Sequence, residues 1–286
     1  MSEAAVDLRF ANIETWSGKD RSDENFPVGS LLIARRLRPH MHAYYGFARN
    51  ADDIADSPDL APEDKVARLN IMEAVLLGQR TDGSPSASKL RESLAATGVS
   101  PVHATDLLIA FRADATKSRY ETFDELYAYC RYSAVPVGRY VIDLHGESNA
   151  AYPASDALCV SLQILNHLQD CAADLRTLDR CYLPQDLLRG LGVETADLLG
   201  PRETPGLRRA FATILERVDA LNLTARPLPT TVRSRRLRAE TMFIRELAVR
   251  LTHRLATADP LAGRVALTKT DALFSLFRAV GALVCR

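Results

Sequence analysis

Asn166, Asp170 and Asp174 recur every four residues within a segment whose other positions are mostly apolar, including Leu158, Val160, Leu162, Ile164, Leu165, Leu168, Ala172 and Ala173. A spacing of four lines up one face of an α-helix, so these side chains form a polar stripe about 12 Å long by helical rise. A helix apolar nearly all round is a buried helix, and buried carboxylates need partners. The chain must therefore enclose this helix in a helical fold and set something positive against its stripe.

A second acidic group, Asp52-Asp53-Ile54-Ala55-Asp56, closes a segment that starts at Tyr44 and ends at Ser57-Pro58. On a helix Asp52 and Asp56 sit about 40° apart, one turn from each other, with Asp53 on the flank. Like charges at this spacing destabilise a helix, and near a C-terminus the macrodipole opposes them further. Arg49 precedes Asp52 by three and Asp53 by four, so it can pair locally, but three acids outnumber one guanidinium. A divalent cation would neutralise the remainder. Carboxylate and amide oxygens suit Mg²⁺, which keeps waters and is shared between a few carboxylates and phosphate oxygens. Either group alone is compatible with a solvated acidic helix. Both together, each flanked by Arg and Tyr, point to a shared site for metal and phosphate.

The rest of the chain supports an all-α reading. Apolar residues recur at spacings of three and four, and the alternation of Val, Ile and Thr that marks strands is scarce. Helices are expected over 30–56, 62–77, 86–97, 102–117, 123–145, 155–176, 195–199, 206–226, 234–256 and 268–284, with Gly and Pro falling mainly between them. No linker or repeat interrupts the series, so residues 1–286 are read as a single domain whose first 20 residues form a flexible segment.

Lys plus Arg and Asp plus Glu both number 36, which leaves no net field for nucleic acid or an anionic surface, and any anionic ligand must be met locally. The cluster Arg233, Arg235, Arg236 and Arg238 lacks interleaved aromatics and reads as a solvated helix start. Five cysteines without a CxxC pair argue against a zinc module or a disulfide framework and for reduced thiols in the cytoplasm. The N-terminus lacks the basic start and apolar run of a signal peptide. No window reaches a membrane span, although the tail Ala272–Cys285 is apolar enough to touch a bilayer surface. None of His40, His42, His103, His145 and His253 has the spacing of a metal site. His167 points about 100° away from Asn166 and reads as packing.

Three ordered segments resemble the squalene and phytoene synthase family over about Asn25 to Lys269. They are Tyr45 to Asp56, Tyr129 to Gly138, and Gln163 to Asp174 followed by Arg180-Cys181-Tyr182-Leu183-Pro184. Glu24 to Ser30, Arg35 to Pro39 and Phe111 to Tyr120 are similar to the bacterial hydroxysqualene synthase branch. Asp179 stands where the family usually has Gly before the Arg of the Arg-x-Tyr-Leu-Pro turn, and Asp can adopt a turn conformation.

The resemblance implies an isoprenoid-synthase-type helical bundle around a central cavity, and two or three Mg²⁺ ions held by Asp52, Asp53, Asp56, Asn166, Asp170 and Asp174. It implies presqualene diphosphate as substrate and hydroxysqualene plus diphosphate as products. Arg49 and Arg180 would pair with phosphate oxygens, and Lys117 is a further candidate for that role. Phe26, Gln163 and Asn166 are the other expected substrate contacts. Tyr45, Tyr182 and Tyr132 would line the cation's path with Phe26, and Tyr129, one turn before Tyr132, could serve instead. Quenching by water implies that no NADPH is used. Expected neighbours in the reaction series are a presqualene diphosphate synthase and a hydroxysqualene reductase, with peripheral contact at the inner face of the membrane. Two alternatives stay open: head-to-head condensation to presqualene diphosphate, squalene or phytoene by the same metal residues, and a catalytically silent helical assembly factor.

Overall fold

The computed structural model describes residues 12–14 and 33–284, except the side chains of 282–284. Among these residues every extended element is a helix: α1 (Arg38–Asp56), α2 (Pro62–Leu76), α3 (Pro85–Thr97), α4 (Val102–Asp114), α5 (Phe123–Ser133), α6 (Val135–Leu144), α7 (Tyr152–Leu178), α8 (Gln185–Gly190), α9 (Pro205–Thr224), α10 (Leu228–Thr231), α11 (Arg235–Thr257) and α12 (Lys269–Val284). Short 3-10 turns occupy Asn149–Ala151 and Thr195–Leu199. The all-α expectation therefore stands.

The chain divides into two compact units. The first holds α1 to α4 with the described residues of Met1–Gly29, and the second holds α5 to α12 with the described residues of Ser30–Ala34.

In the first unit α1 packs against α2, α3 and α4. Its buried side chains Met41, Tyr44, Phe47, Ala51 and Ile54 follow the three and four spacing that formed the helix. Pro or a capping side chain starts the shorter helices. Ser84 Oγ accepts from Ala87 N at 3.2 Å to begin α3, and Gly98 ends it at φ 73°, a left-handed turn that Gly adopts at no steric cost. Residues 12–14 are stitched onto this unit. Ile13 is fully buried and donates to Gly83 O at 3.0 Å, while the Glu14 carboxylate accepts from Ser84 Oγ at 2.6 Å and Ser86 N at 2.7 Å.

The second unit is built round α7, 27 residues long, which packs against α5, α6, α9 and α11. Close approach of α6 depends on Gly138: a Cβ there would lie 2.5 Å from both Cys159 Sγ and Ser155 Oγ. A buried polar chain ties α7 to α9 and α11. Ser161 Oγ donates to Asn222 Oδ1 at 2.7 Å, Asn222 Nδ2 donates to Thr252 Oγ1 at 3.1 Å, and Thr252 Oγ1 donates to Ala248 O at 2.9 Å. Cys130, Cys171 and Cys181 are buried in this unit, with Cys159 partly so, and burial pushes all four thiols above the usual range.

Several boundaries differ from expectation. The helix read over 123–145 breaks at Ala134, where ψ is −44° and φ −126°, and restarts with Pro136 in the first turn of α6. Pro153 likewise opens α7 instead of separating it from what precedes, so α7 begins at Tyr152. The first helix starts at Arg38, with Pro39 in its first turn, and the earlier part of the expected range, 30–32, lies outside the described residues. Helix α4 stops at Asp114, three residues short of the expected end. The six-residue α8 was not anticipated, being too short to show a period.

Candidate active site

The last turns of α1 carry the first acidic group. Arg49 reaches along the helix to both near carboxylates, with Nη1 3.2 Å from Asp52 Oδ2 and Nη2 2.8 Å from Asp53 Oδ1, and Nε donates to the same Asp53 oxygen at 3.1 Å. Asp53 is thereby buried and satisfied. Asp52 shares that guanidinium but is only half-buried: desolvation first, then Asp56, with Asp114 and Asp53 adding, push its pKa up to about 8 against the opposing pull of Arg49. Asp114, the last residue of α4, thus joins the three acids of α1 in the same unit. It had no acidic neighbour at helical spacing and was not singled out from the sequence.

This electrostatic state is a test of whether the residues fit a divalent cation, and they do. Desolvation and the mutual repulsion of neighbouring carboxylates oppose ionisation here, and a hard cation would favour the ionised, oxygen-donating form. Among the described residues no three His, Cys, Asp or Glu side chains converge to complete a metal site by themselves. Carboxylate and amide oxygens are the donors that a hard cation such as Mg²⁺ prefers, with water and phosphate as its other ligands.

A pH-dependent prediction follows for the metal-free protein. Because folding raises the Asp52 pKa from 3.8 to about 8, the folded state binds the proton that the unfolded state releases, and stability falls as pH rises from about 4 to about 8. Asp52→Asn removes that penalty. With chelator present, the variant should be more stable than wild type by on the order of 1 kcal/mol at pH 8, discounted for the 36% exposure of the side chain. Thermal melts should show the gap closing towards pH 4. A pH-independent difference would contradict this assignment.

The second stripe lies on α7, where Asn166, Asp170 and Asp174 are each partly exposed on a helix whose other faces are largely buried. Arg264 Nε stands 3.4 Å from Asp170 Oδ1. The helix ends at Asp179, whose φ of 48° is left-handed, the conformation usually taken by Gly. Arg119 holds this turn by donating to both the Asp179 carbonyl and its Oδ1, the latter at 2.6 Å. The segments 118–121 and 181–186 then run side by side, with Cys181 N donating to Ser118 O at 2.9 Å and Gln185 N to Tyr120 O at 3.0 Å.

This turn buries Arg180 and Tyr182 beside α5 and α7. Arg180 Nη1 donates to Tyr182 Oη at 3.2 Å. The Tyr182 ring stacks on His167 with centroids 3.6 Å apart, and Tyr120, Tyr129 and Tyr182 lie within 5.2–5.4 Å of one another. Gln163 Nε2 donates to His167 Nε2 at 3.2 Å, and desolvation, then the Arg180 charge, push the imidazole down to about 3, so it is neutral. His167 does pack, as expected, but against the aromatic cluster. Tyr129 belongs to the cluster, whereas Tyr132 is 38% exposed. Lys117 is engaged locally, 2.9 Å from Glu125 Oε2 with its ammonium 4.6 Å over the Tyr120 ring.

In the first unit Tyr45 is half-buried on α1. Phe26 lies outside the described residues.

A family model for squalene/phytoene synthase matches residues 19–271. The hydroxysqualene synthase of Rhodopseudomonas palustris is 45% identical over 273 residues, which cover 96% of this chain and 93% of that protein. The hydroxysqualene synthase of Sinorhizobium fredii is 42% identical over 261 residues, 91% and 88% of the two chains. Among solved structures, a squalene synthase from Alicyclobacillus acidocaldarius is similar at a TM-score of 0.71 and 33% identity, covering 82% of this chain and 88% of that one.

Proposed function

The chain belongs to the squalene/phytoene synthase family, and from that premise we propose that it is a hydroxysqualene synthase. The observation that carries the finer reading is the likeness to hydroxysqualene synthases along nearly the whole of both chains. In this reading the C–O bond of presqualene diphosphate breaks, the bonding electrons leave with diphosphate, and the carbocation rearranges. Water then adds, giving hydroxysqualene and releasing one proton.

Mg²⁺, when bound, would supply the charge that stabilises the departing diphosphate. Asp52, Asp53 and Asp56 on α1, and Asn166, Asp170 and Asp174 on α7, are assigned to hold it directly or through water. Arg49 has a second task that the structure supports: it fixes Asp52 and Asp53 in one orientation before any ligand arrives. Arg180, buried and aimed along the Tyr182 hydroxyl, is assigned to phosphate oxygens, where its fork suits bidentate contact. Lys117 must leave Glu125 to do the same. Tyr182 and Tyr129 are assigned as the faces that shield the cation, with Gln163 steadying the His167 ring against Tyr182. Tyr45 and Phe26 are assigned to substrate contact in the first acidic segment and the preceding stretch, and Tyr132 is the alternative to Tyr129.

Product analysis tests the proposal. Purified protein with presqualene diphosphate and Mg²⁺, without NADPH, should yield hydroxysqualene and diphosphate, with oxygen from labelled water in the product. Consumption of farnesyl diphosphate alone would instead identify a head-to-head prenyltransferase. A folded protein inert towards both would identify a silent relative.

A further inference from the structure

The two ring nitrogens of His167 have different neighbours. Gln163, one helical turn earlier on α7, sets its amide Nε2 3.2 Å from His167 Nε2. An amide nitrogen only donates, so the ring accepts with the Nε2 lone pair and carries its hydrogen on Nδ1. The basic nitrogen is thereby capped. Nδ1–H meets no acceptor among the described residues, although the residue is only 7% exposed. A donor buried to this extent calls for a partner, and a water whose oxygen accepts from it keeps a second lone pair free. The ring also stands beside the two faces assigned to the cation, its centroid 3.6 Å from that of Tyr182 and 6.0 Å from that of Tyr129.

A carbocation in such a site can end in two ways. Water adds and gives an alcohol, or a base takes a proton from the neighbouring carbon and gives an alkene. A group beside the cation that offers a water and withholds its own lone pair selects the alcohol. We infer that His167 holds, by its Nδ1–H, the water that captures the cation, and that Gln163 keeps the same ring from acting as a base. This rests on the reading of the chain as a hydroxysqualene synthase. The free lone pair of the water forms the new C–O bond to the cationic carbon. The protonated alcohol then gives one proton to the departed diphosphate, the base that the first step leaves behind. His167 is the catalytic residue in this step. Gln163 is a positioning residue, which chooses between two products through the ring it caps.

Two substitutions separate the donor from the ring. His167→Phe keeps a ring against Tyr182 but has no N–H, whereas His167→Asn loses the ring and keeps an amide donor close to the place of Nδ1. Each is incubated with presqualene diphosphate and Mg²⁺, diphosphate release is timed, and the products are separated by gas chromatography. His167→Phe should release diphosphate within about threefold of the wild-type rate, while its ratio of alcohol to alkene falls about tenfold, as one lost hydrogen bond to the reacting water predicts. His167→Asn should be slower but keep the alcohol as its main product. Gln163→Leu should raise the share of alkene. A wild-type ratio from His167→Phe, or alkene as the main product of His167→Asn, would overturn the inference while leaving the hydroxysqualene reading in place. A wild type that leaves presqualene diphosphate untouched would overturn both. Nitrogen-15 NMR of the histidine-labelled full chain checks the tautomer without substrate: His167 should carry its hydrogen on Nδ1, and a hydrogen on Nε2 would overturn the inference whatever the products.

Discussion

Asp170→Ala is expected to lower kcat/KM by about a thousandfold or more while leaving the fold intact. The side chain is partly exposed, lies in the middle of the α7 stripe, and its described ion pair is with Arg264 at 3.4 Å. A solvent-facing pair of this kind contributes on the order of 0–1 kcal/mol, so its loss should move the melting temperature by no more than a few degrees. If the carboxylate holds Mg²⁺ against a departing diphosphate, its removal acts on the transition state, where a lost charge contact costs several kcal/mol. Two companions separate charge from structure. Asp170→Asn keeps the shape and should be nearly as inactive, whereas Arg264→Ala removes only the partner and should change turnover by less than about threefold. Steady-state kinetics with Mg²⁺ varied would check all three, and full activity in a folded Asp170→Ala would refute the metal assignment.

The second large effect is on stability. Asn222 is the middle of the buried chain from Ser161 to Thr252, accepting from one hydroxyl and donating to the other. Asn222→Ala leaves both hydroxyls short of a partner and opens a cavity where α7, α9 and α11 meet, at a cost of about 2–3 kcal/mol. Denaturant titration should show that loss, and the melting temperature should fall by roughly 5–10 °C. Replacing the whole chain by apolar groups of similar shape, Ser161→Ala with Asn222→Leu and Thr252→Val, should recover most of it, because no buried polar group is then orphaned. Failure of the triple variant to recover would mean that the cost lies in packing and not in the hydrogen bonds.

What could be read from the sequence was set by periodicity. Helical spacing placed both acidic stripes, and the substitution of Asp179 for the usual Gly was compatible with a turn, which the left-handed φ bears out. The limits are physical too. Pro153 looks like a separator, yet Pro is at home in a first helical turn, so α7 began earlier than expected, whereas Pro136, read as the interior of one long helix, opens a new one and splits the expected helix in two. Asp114 carries no spacing signal, because its acidic neighbours come from a different helix. The gathering of Tyr120, Tyr129, Tyr182 and His167 depends on segments 118–121 and 181–186 meeting, a long-range pairing that local patterns do not encode. In α12 the period was legible but its direction was not: an apolar stripe tells that a helix has two faces, and only the ion pairs of Asp271 and Arg278 tell which one turns inward.

The buried thiols have a practical consequence. Raised above the usual range, Cys130, Cys171 and Cys181 present almost no thiolate while the second unit is closed, and thiolate is the form that alkylating reagents attack. Labelling of these three positions by a maleimide therefore counts openings of α5, of α7 and of the turn after it, each at its own site along the chain. The protein thus carries internal clocks, readable by mass spectrometry, for how often the scaffold beneath the α7 stripe comes apart.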